Sequence, residues 1–167
     1  MDISVIICTY NRSTLFRETL DSFFQCNFDG SAYELILVDN GSTDETSAVA
    51  QEFVARHPAH VKYIFEKIPD LANARNIAIQ AAEGKLIAFL DDDVYLDPDW
   101  LREVKNVFAR QPEAMCMGGK SIPLFDDGRP DWISDDLMKI YGSTNSGESV
   151  KFLKYPEYPF GLNMAFR

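Results

Sequence analysis

Short apolar runs that alternate with segments of helical period constrain this chain more than any other feature. Ile3 to Cys8, Glu34 to Val38, Val61 to Phe65 and Leu86 to Leu90 are five or six residues long and rich in β-branched or aromatic side chains. Runs of that kind, separated by helices, build a mostly parallel sheet covered on both faces. Thr14 to Cys26 reads as the first helix, with Phe16, Leu20, Phe23 and Phe24 on one face. Ser42, with Glu45 three residues on, forms a capping box for a helix running to Arg56. Leu71 to Ala82 is a third helix, closed by Glu83-Gly84. Asp97-Pro98 supplies an N-cap and first-turn proline for a fourth, with Trp100, Leu101, Val104, Val107 and Phe108 on its buried side. Ala114 to Met117 is a possible fifth strand. From Lys120 to Pro159 turn residues take over, with one short helical stretch at Ser134 to Tyr141, which reads as long loops over a cleft.

The chain's 167 residues suit one domain able to bury a core. A formal net charge of -10 argues against a nucleic-acid backbone as partner, since phosphate tracking needs a clustered basic face. It leaves room for a single nucleotide held by a metal and one or two cations. Cys8, Cys26 and Cys116 are odd in number and lack C-x-x-C spacing, so they read as reduced thiols. The start lacks a basic segment, and its apolar run is too short for a signal or membrane span. The expectation is a cytoplasmic protein, with any membrane attachment lying beyond Arg167.

Ligands of open parallel sheets bind beyond the carboxyl ends of the strands. Three such ends are polar here: Thr9-Tyr10-Asn11-Arg12, Asp39-Asn40-Gly41-Ser42 and Asp91-Asp92-Asp93. Together they predict one shared crevice. Three consecutive carboxylates repel one another unless a cation compensates, and hard oxygen ligands suit Mg²⁺ or Mn²⁺ alongside phosphate oxygens. In extended backbone Asp91 and Asp93 share a face, which leaves Asp92 for another contact. The competing reading is an acidic turn that caps the next helix.

Asp39 can accept hydrogen bonds from a base or ribose, or simply make an Asx-turn ahead of Ser42. Tyr10 can stack on a base or lie half-buried. Arg75 stands in the first turns of an apolar helix, where a cation opposes the helix dipole. That placement suggests a task, binding phosphate or holding a strand-end carboxylate. Arg12 and Lys120 are weaker candidates for diphosphate contact. His57 and His60 read as surface residues.

Taken jointly, Ser4-Val5-Ile6-Ile7-Cys8-Thr9-Tyr10-Asn11-Arg12, Leu37-Val38-Asp39-Asn40-Gly41-Ser42-Thr43-Asp44, Ala74-Arg75-Asn76-Ile77-Ala78 and Phe89-Leu90-Asp91-Asp92-Asp93 resemble family 2 glycosyltransferases of the GT-A fold. The resemblance implies an inverting transfer of sugar from a nucleoside diphosphate (UDP, GDP or dTDP) to a glycan or lipid-linked acceptor hydroxyl. It places Thr9, Tyr10, Asp39 and Arg75 along the nucleoside. Asp91 and Asp92 fall near ribose and diphosphate, and Asp93 on the metal. It also divides the chain into a donor-binding core, 1–119, and the start of an acceptor-side region, 120–167, where Pro159 to Arg167 lines the acceptor. No residue matches the family's general base, which the resemblance puts beyond Arg167. The alternative is a module that binds donor without transferring it. A nucleotidyltransferase is disfavoured, because Thr9 to Thr14 contains no glycine.

Overall fold

The computed structural model describes residues 1–28, 32–144, 150–154, 156–159 and 161–167. Part of the 120–159 stretch, and Phe160 within the segment expected to line the acceptor, lie outside the described residues. Ten elements are laid out as β1 (Ile3–Thr9), α1 (Ser13–Phe23), β2 (Tyr33–Asp39), α2 (Thr46–Arg56), β3 (Val61–Phe65), α3 (Leu71–Ala81), β4 (Leu86–Leu90), α4 (Trp100–Arg110), β5 (Cys116–Gly118) and β6 (Asn163–Phe166). They form one six-stranded sheet in the order β3-β2-β1-β4-β6-β5. β1 to β4 pair in parallel, and β6 inserts antiparallel between β4 and β5.

Strand alternation sorts the side chains. Ile3, Val5 and Ile7 of β1, with Leu35 and Leu37 of β2 and Ala88 and Leu90 of β4, face α1, α2 and α4. Ile6, Ile36, Val38 and Phe89 face α3. Both faces of the central strands are therefore covered, which is why β1 and β2 read as nearly continuous apolar runs. Phe16, Leu20 and Phe23 of α1 and Phe53 of α2 are fully or almost fully buried, each contributing about 1.5–3 kcal/mol relative to an exposed side chain. On the other face, Ala74 and Ala78 are the buried residues of α3. Their small side chains bring the helix close to the sheet and set Arg75 beside its edge.

The amino ends of the strands are locked by a buried acid. Glu34 accepts hydrogen bonds from Ser4 Oγ (2.5 Å) and the Glu83 N–H (2.7 Å) and pairs with Lys62 (2.8 Å). Burial pushes its pKa up, but Lys62, Ser4 and the Glu83 N–H outweigh that and hold it below the usual glutamate value. Gly84 donates to Ser4 Oγ, and a Cβ on it would sit 2.4 Å from the Ser4 nitrogen, so the turn into β4 requires glycine.

Several local expectations are corrected. No capping box forms: α2 starts at Thr46, whose N–H is bound by Asp44 Oδ1, while Ser42 Oγ accepts from the Asn11 N–H. α4 starts at Trp100 after Asp99, two residues later than the Asp97 cap implied, and Asp97 instead accepts from the Asp99 N–H. His57 and His60 are packed rather than merely superficial. His57 stacks on Phe24 at 3.8 Å and His60 on Tyr33 at 4.6 Å. The helical stretch at 134–141 shrinks to a 3-10 turn, Leu137–Lys139.

Candidate functional site

The strand register brings the polar ends to one level. Thr9 is the partner of Asp39, and Ile7 that of Leu90, so Asp92 falls beside Thr9 one strand away. The β1–α1 and β2–α2 turns are then joined by Asn11, which adopts a left-handed conformation (φ 51°) that few residues other than glycine tolerate well. Its side-chain oxygen accepts from the Thr43 N–H at 2.7 Å, while its own N–H donates to Ser42 Oγ at 2.9 Å. Sequence reasoning saw Asn11 only as a member of a polar cluster. An asparagine between a strand and a helix was the available signal for this conformation.

Asp39 is fully buried. One oxygen accepts from the Ser42 N–H (2.9 Å), the Asx-turn, and the other from Tyr63 OH (3.1 Å). Gly41 follows with φ 87°, and a Cβ there would meet the Lys67 carbonyl at 3.1 Å. Asn40 reaches onward and accepts from the Asp70 N–H, and Asp70 caps α3 through the Asn73 N–H. Tyr10 stands 47% exposed at the rim of these turns.

The aspartate triplet leaves β4 in a turn, not in extended backbone, so simple alternation does not govern it. Asp92 is the inward member, its side chain only 10% exposed, whereas those of Asp91 and Asp93 are 43% and 42% exposed. Asp91 and Asp93 are both partly exposed, Asp91 facing Arg75 and Asp93 facing Arg12. Burial raises the Asp91 pKa, with the charge of Asp93 adding to it. Asp92 is likewise raised by burial, partly offset by Thr9 and Arg12. The buried Thr9 hydroxyl makes no hydrogen bond of standard geometry, yet lies close enough to favour the Asp92 carboxylate.

Two arginines face this negative cluster. Arg12 Nη1 lies 2.8 Å from Asp93 and 3.2 Å from Asp92. Arg75 Nη2 lies 3.7 Å from Asp91, with its guanidinium over the Phe89 ring at 5.6 Å. Of the two tasks considered for Arg75, holding a strand-end carboxylate is the one visible. A Cβ on Gly161 would come within 3.5 Å of the Arg75 Nη2. The loop after the triplet is held to α1, because the Val94 N–H donates to Thr19 Oγ1 and the Leu96 N–H to Ser22 Oγ. Lys120 is exposed, two residues beyond the end of β5.

Cys8 lies next to this cluster, and burial pushes its thiol up to about 11, so it is a protonated packing residue. The three cysteines are free thiols. Among the described residues no three His, Cys, Asp or Glu side chains form a complete metal cage. No helix there is long and apolar enough to cross a membrane.

The family model for glycosyl transferase family 2 matches residues 4–161. Glucosyl-dolichyl phosphate glucuronosyltransferase of Haloferax volcanii is 23% identical over 169 residues, covering 100% of this chain and 53% of that protein. The solved structure of Staphylococcus aureus TarS 1-349 in complex with UDP superposes with a TM-score of 0.68 at 25% identity, over 80% of this chain and 39% of that one. The mannosyltransferase PcManGT from Pyrobaculum calidifontis, in complex with GDP-Man and Mn²⁺, gives 0.65 at 26% identity, over 71% and 35%. The chain thus spans about half the length of the first of these relatives, and less of the two solved chains. With a parallel sheet extended by an antiparallel strand and its polar strand ends gathered at one edge, the chain belongs to glycosyl transferase family 2 and has the GT-A fold.

Proposed function

We propose that this chain is the donor-binding part of an inverting glycosyltransferase that moves a sugar from a nucleoside diphosphate to an acceptor hydroxyl. The observation that carries this is the crowd of three carboxylates at the end of β4, two of them pushed up in pKa by burial, with Asp91 and Asp93 still partly exposed. Such an arrangement is unfavourable for its own sake and becomes favourable when a cation arrives. UDP and GDP-Man in the solved relatives support a nucleoside diphosphate as the ligand.

The donor set is hard oxygen, and one or two carboxylates plus phosphate oxygens are what Mg²⁺ or Mn²⁺ takes. Asp91 and Asp93 are the residues that would hold the metal. When bound, the metal neutralises charge building on the departing diphosphate. The chain's own residues orient the rest. Tyr10 offers a face for the base, and Thr9 and Asp39 define the nucleoside end. Asp92 anchors Arg12, and Arg75 lies close enough to Asp91 to reach a phosphate oxygen. Attack by the acceptor oxygen forms a bond to the anomeric carbon as the bond to phosphate breaks, leaving the electron pair on the diphosphate and inverting the centre. The acceptor's proton goes to a general base assigned to no residue of this chain. The region from 120 onward is the acceptor side on this reading, and its acceptor is a glycan or a lipid-linked sugar.

Calorimetry with UDP, GDP and dTDP, each with and without Mn²⁺, tests the proposal. At least one diphosphate should bind measurably only with the metal present. Equal affinity in both conditions removes the metal role, and no binding at all removes the nucleotide reading.

A further inference from the structure

The ends of β2, β1 and β4 carry Asp39, Thr9 and Asp91 in that lateral order, and the sheet continues past β4 to β6 and then β5. A ligand with its nucleoside over β2 and β1 and its diphosphate at β4 runs onto β6 and β5 with its third part, the sugar. Two strand spacings put the end of β5 roughly 10 Å from the end of β4.

One side chain ties together everything at that place. Asn163, whose register partner is Leu90 at the end of β4, accepts from Trp100 Nε1 through Oδ1 at 3.0 Å. Its Nδ2 donates to the Lys120 carbonyl at 3.3 Å. Its backbone carbonyl accepts from the Gly119 N–H at 2.9 Å. Gly119 is fitted to this amide, since a Cβ there would lie 2.2 Å from Asn163 Nδ2. Thr144 Oγ1 holds the Gly119 carbonyl from the other side at 2.9 Å. A groove of about 190 Å³ opens alongside, lined by Trp100, Glu103, Lys120 and Asn163 among others. Its wall is mostly apolar, with Val104, Val107 and Met117 beside the Trp100 ring, and it carries Glu103, Lys120 and Asn163 among its polar groups, a mixture suited to a pyranose with its apolar ring face and hydroxyl-bearing edge. The amide accepts from the indole through its oxygen and donates to the Lys120 carbonyl through its nitrogen, which neither an ionised Asp nor a Leu in its place could do.

We propose that Asn163 is a positioning residue for the transferred sugar: clamped to Trp100, it fixes the Gly119–Lys120 segment as the wall against which the sugar rests. This rests on the donor reading above and departs from it at one point, giving Lys120 and Asn163, which the family resemblance puts on the acceptor side, to the donor's sugar. It predicts that the Asn163 bridge governs recognition of the sugar and leaves recognition of the diphosphate alone.

The test takes whichever of UDP, GDP or dTDP binds in Mn²⁺ and compares it with the matching UDP-glucose, UDP-N-acetylglucosamine, GDP-mannose or dTDP-glucose. The readout is the ratio of the two affinities. In Asn163→Ala the diphosphate should bind within twofold of wild type, while the sugar nucleotide weakens about tenfold. Trp100→Phe keeps the ring and loses only the N–H donor, so it should move the ratio the same way by about threefold. It carries the test if the alanine variant folds poorly. An unchanged ratio in both variants, or an equal loss of both ligands, assigns Asn163 a purely structural role and overturns the proposal. Failure of the wild-type chain to bind any diphosphate overturns the donor reading itself, and that outcome is distinct from an unchanged ratio. Adding a free acceptor sugar separates the two sources of a pyranose. Competition with the sugar nucleotide in wild type but not in Asn163→Ala would hand the groove to the acceptor and refute the assignment to the donor.

Discussion

Replacing Asp93 with alanine separates a metal role from a structural one, because the structure fixes how little that side chain does for the fold. Its only described partner is Arg12, at 2.8 Å, and the pair is 49% and 42% exposed. Exposed pairs of this kind contribute about 0–1 kcal/mol. Arg12 keeps Asp92 at 3.2 Å when Asp93 is removed, and Asp91 loses a like charge that raises its pKa. These effects oppose each other, so the ligand-free variant should stay within about 1 kcal/mol of wild type. For a chain of this size that is roughly 2–4 °C in melting temperature. Ligand-dependent stabilisation behaves differently. At 100 times its Kd, a metal–nucleotide pair adds about 2.7 kcal/mol, a rise of roughly 5–11 °C on the same scale. Thermal unfolding with and without Mn²⁺ plus UDP should show that rise in wild type and lose most of it in Asp93→Ala. A full rise in the variant refutes the metal assignment. A ligand-free variant that no longer unfolds cooperatively would mean that the triplet is structural.

Other outcomes follow from the same geometry. Asp91→Asn should leave the ligand-free fold as stable as wild type or slightly more so at neutral pH, while abolishing metal-dependent binding; a clear loss of melting temperature would contradict the like-charge account. The pH dependence has two opposing parts. Raised carboxyls at Asp91 and Asp92 contribute stability that is fully present below the unfolded pKa and lost as pH rises through the folded one, whereas the lowered Glu34 contributes stability present above its unfolded pKa and lost as pH falls through its folded value. Urea unfolding from pH 3 to 7 should therefore show Asp91→Asn gaining on wild type as pH rises. Glu34→Ala, which leaves Ser4 Oγ and the Glu83 N–H without their acceptor while Lys62 keeps Glu83, should cost about 1–3 kcal/mol near neutral pH and less in acid; an equal cost at pH 3 would dismiss the ionised pair. Asn11→Ala, which gives up the Thr43 N–H bond and a tolerated left-handed backbone, should cost about 1–3 kcal/mol by the same unfolding measurement and weaken nucleotide binding.

Much of this was legible from the residues alone, because the signals were local. A run such as Ile3 to Cys8 can only be a buried strand, and the spacing of Phe16, Leu20 and Phe23 can only be one face of a helix, so β1 to β4 and α1 to α4 emerge from pattern. Gathering the polar strand ends needed just one non-local rule, that parallel strands end together. What escaped was set by partners distant in sequence. Ser42 and Glu45 spell a cap, but Asn11, 31 residues earlier, takes Ser42 for itself. β6 is four residues inserted between strands it meets antiparallel, and nothing in Asn163-Met164-Ala165-Phe166 announces which strands those are. His57 and His60 look like loop polarity until Phe24 and Tyr33 fold beneath them. The exposure of Asp91 and Asp93, with Asp92 inward, depends on a turn after β4 rather than on strand alternation. Arg75's closeness to Asp91 depended on two alanines bringing α3 down to the sheet.

The central claim is that Asp91 and Asp93 hold a cation that bridges to a diphosphate lying across the strand ends. Crystallising the chain with Mn²⁺ and the nucleoside diphosphate that binds it, and locating the metal by its anomalous scattering, tests this most directly. The predicted result is a peak about 2.0–2.2 Å from oxygens of Asp91 or Asp93 and from the diphosphate, with the base toward Tyr10 and Asp39. A nucleotide seated elsewhere, or a metal bound away from the triplet, would contradict the account.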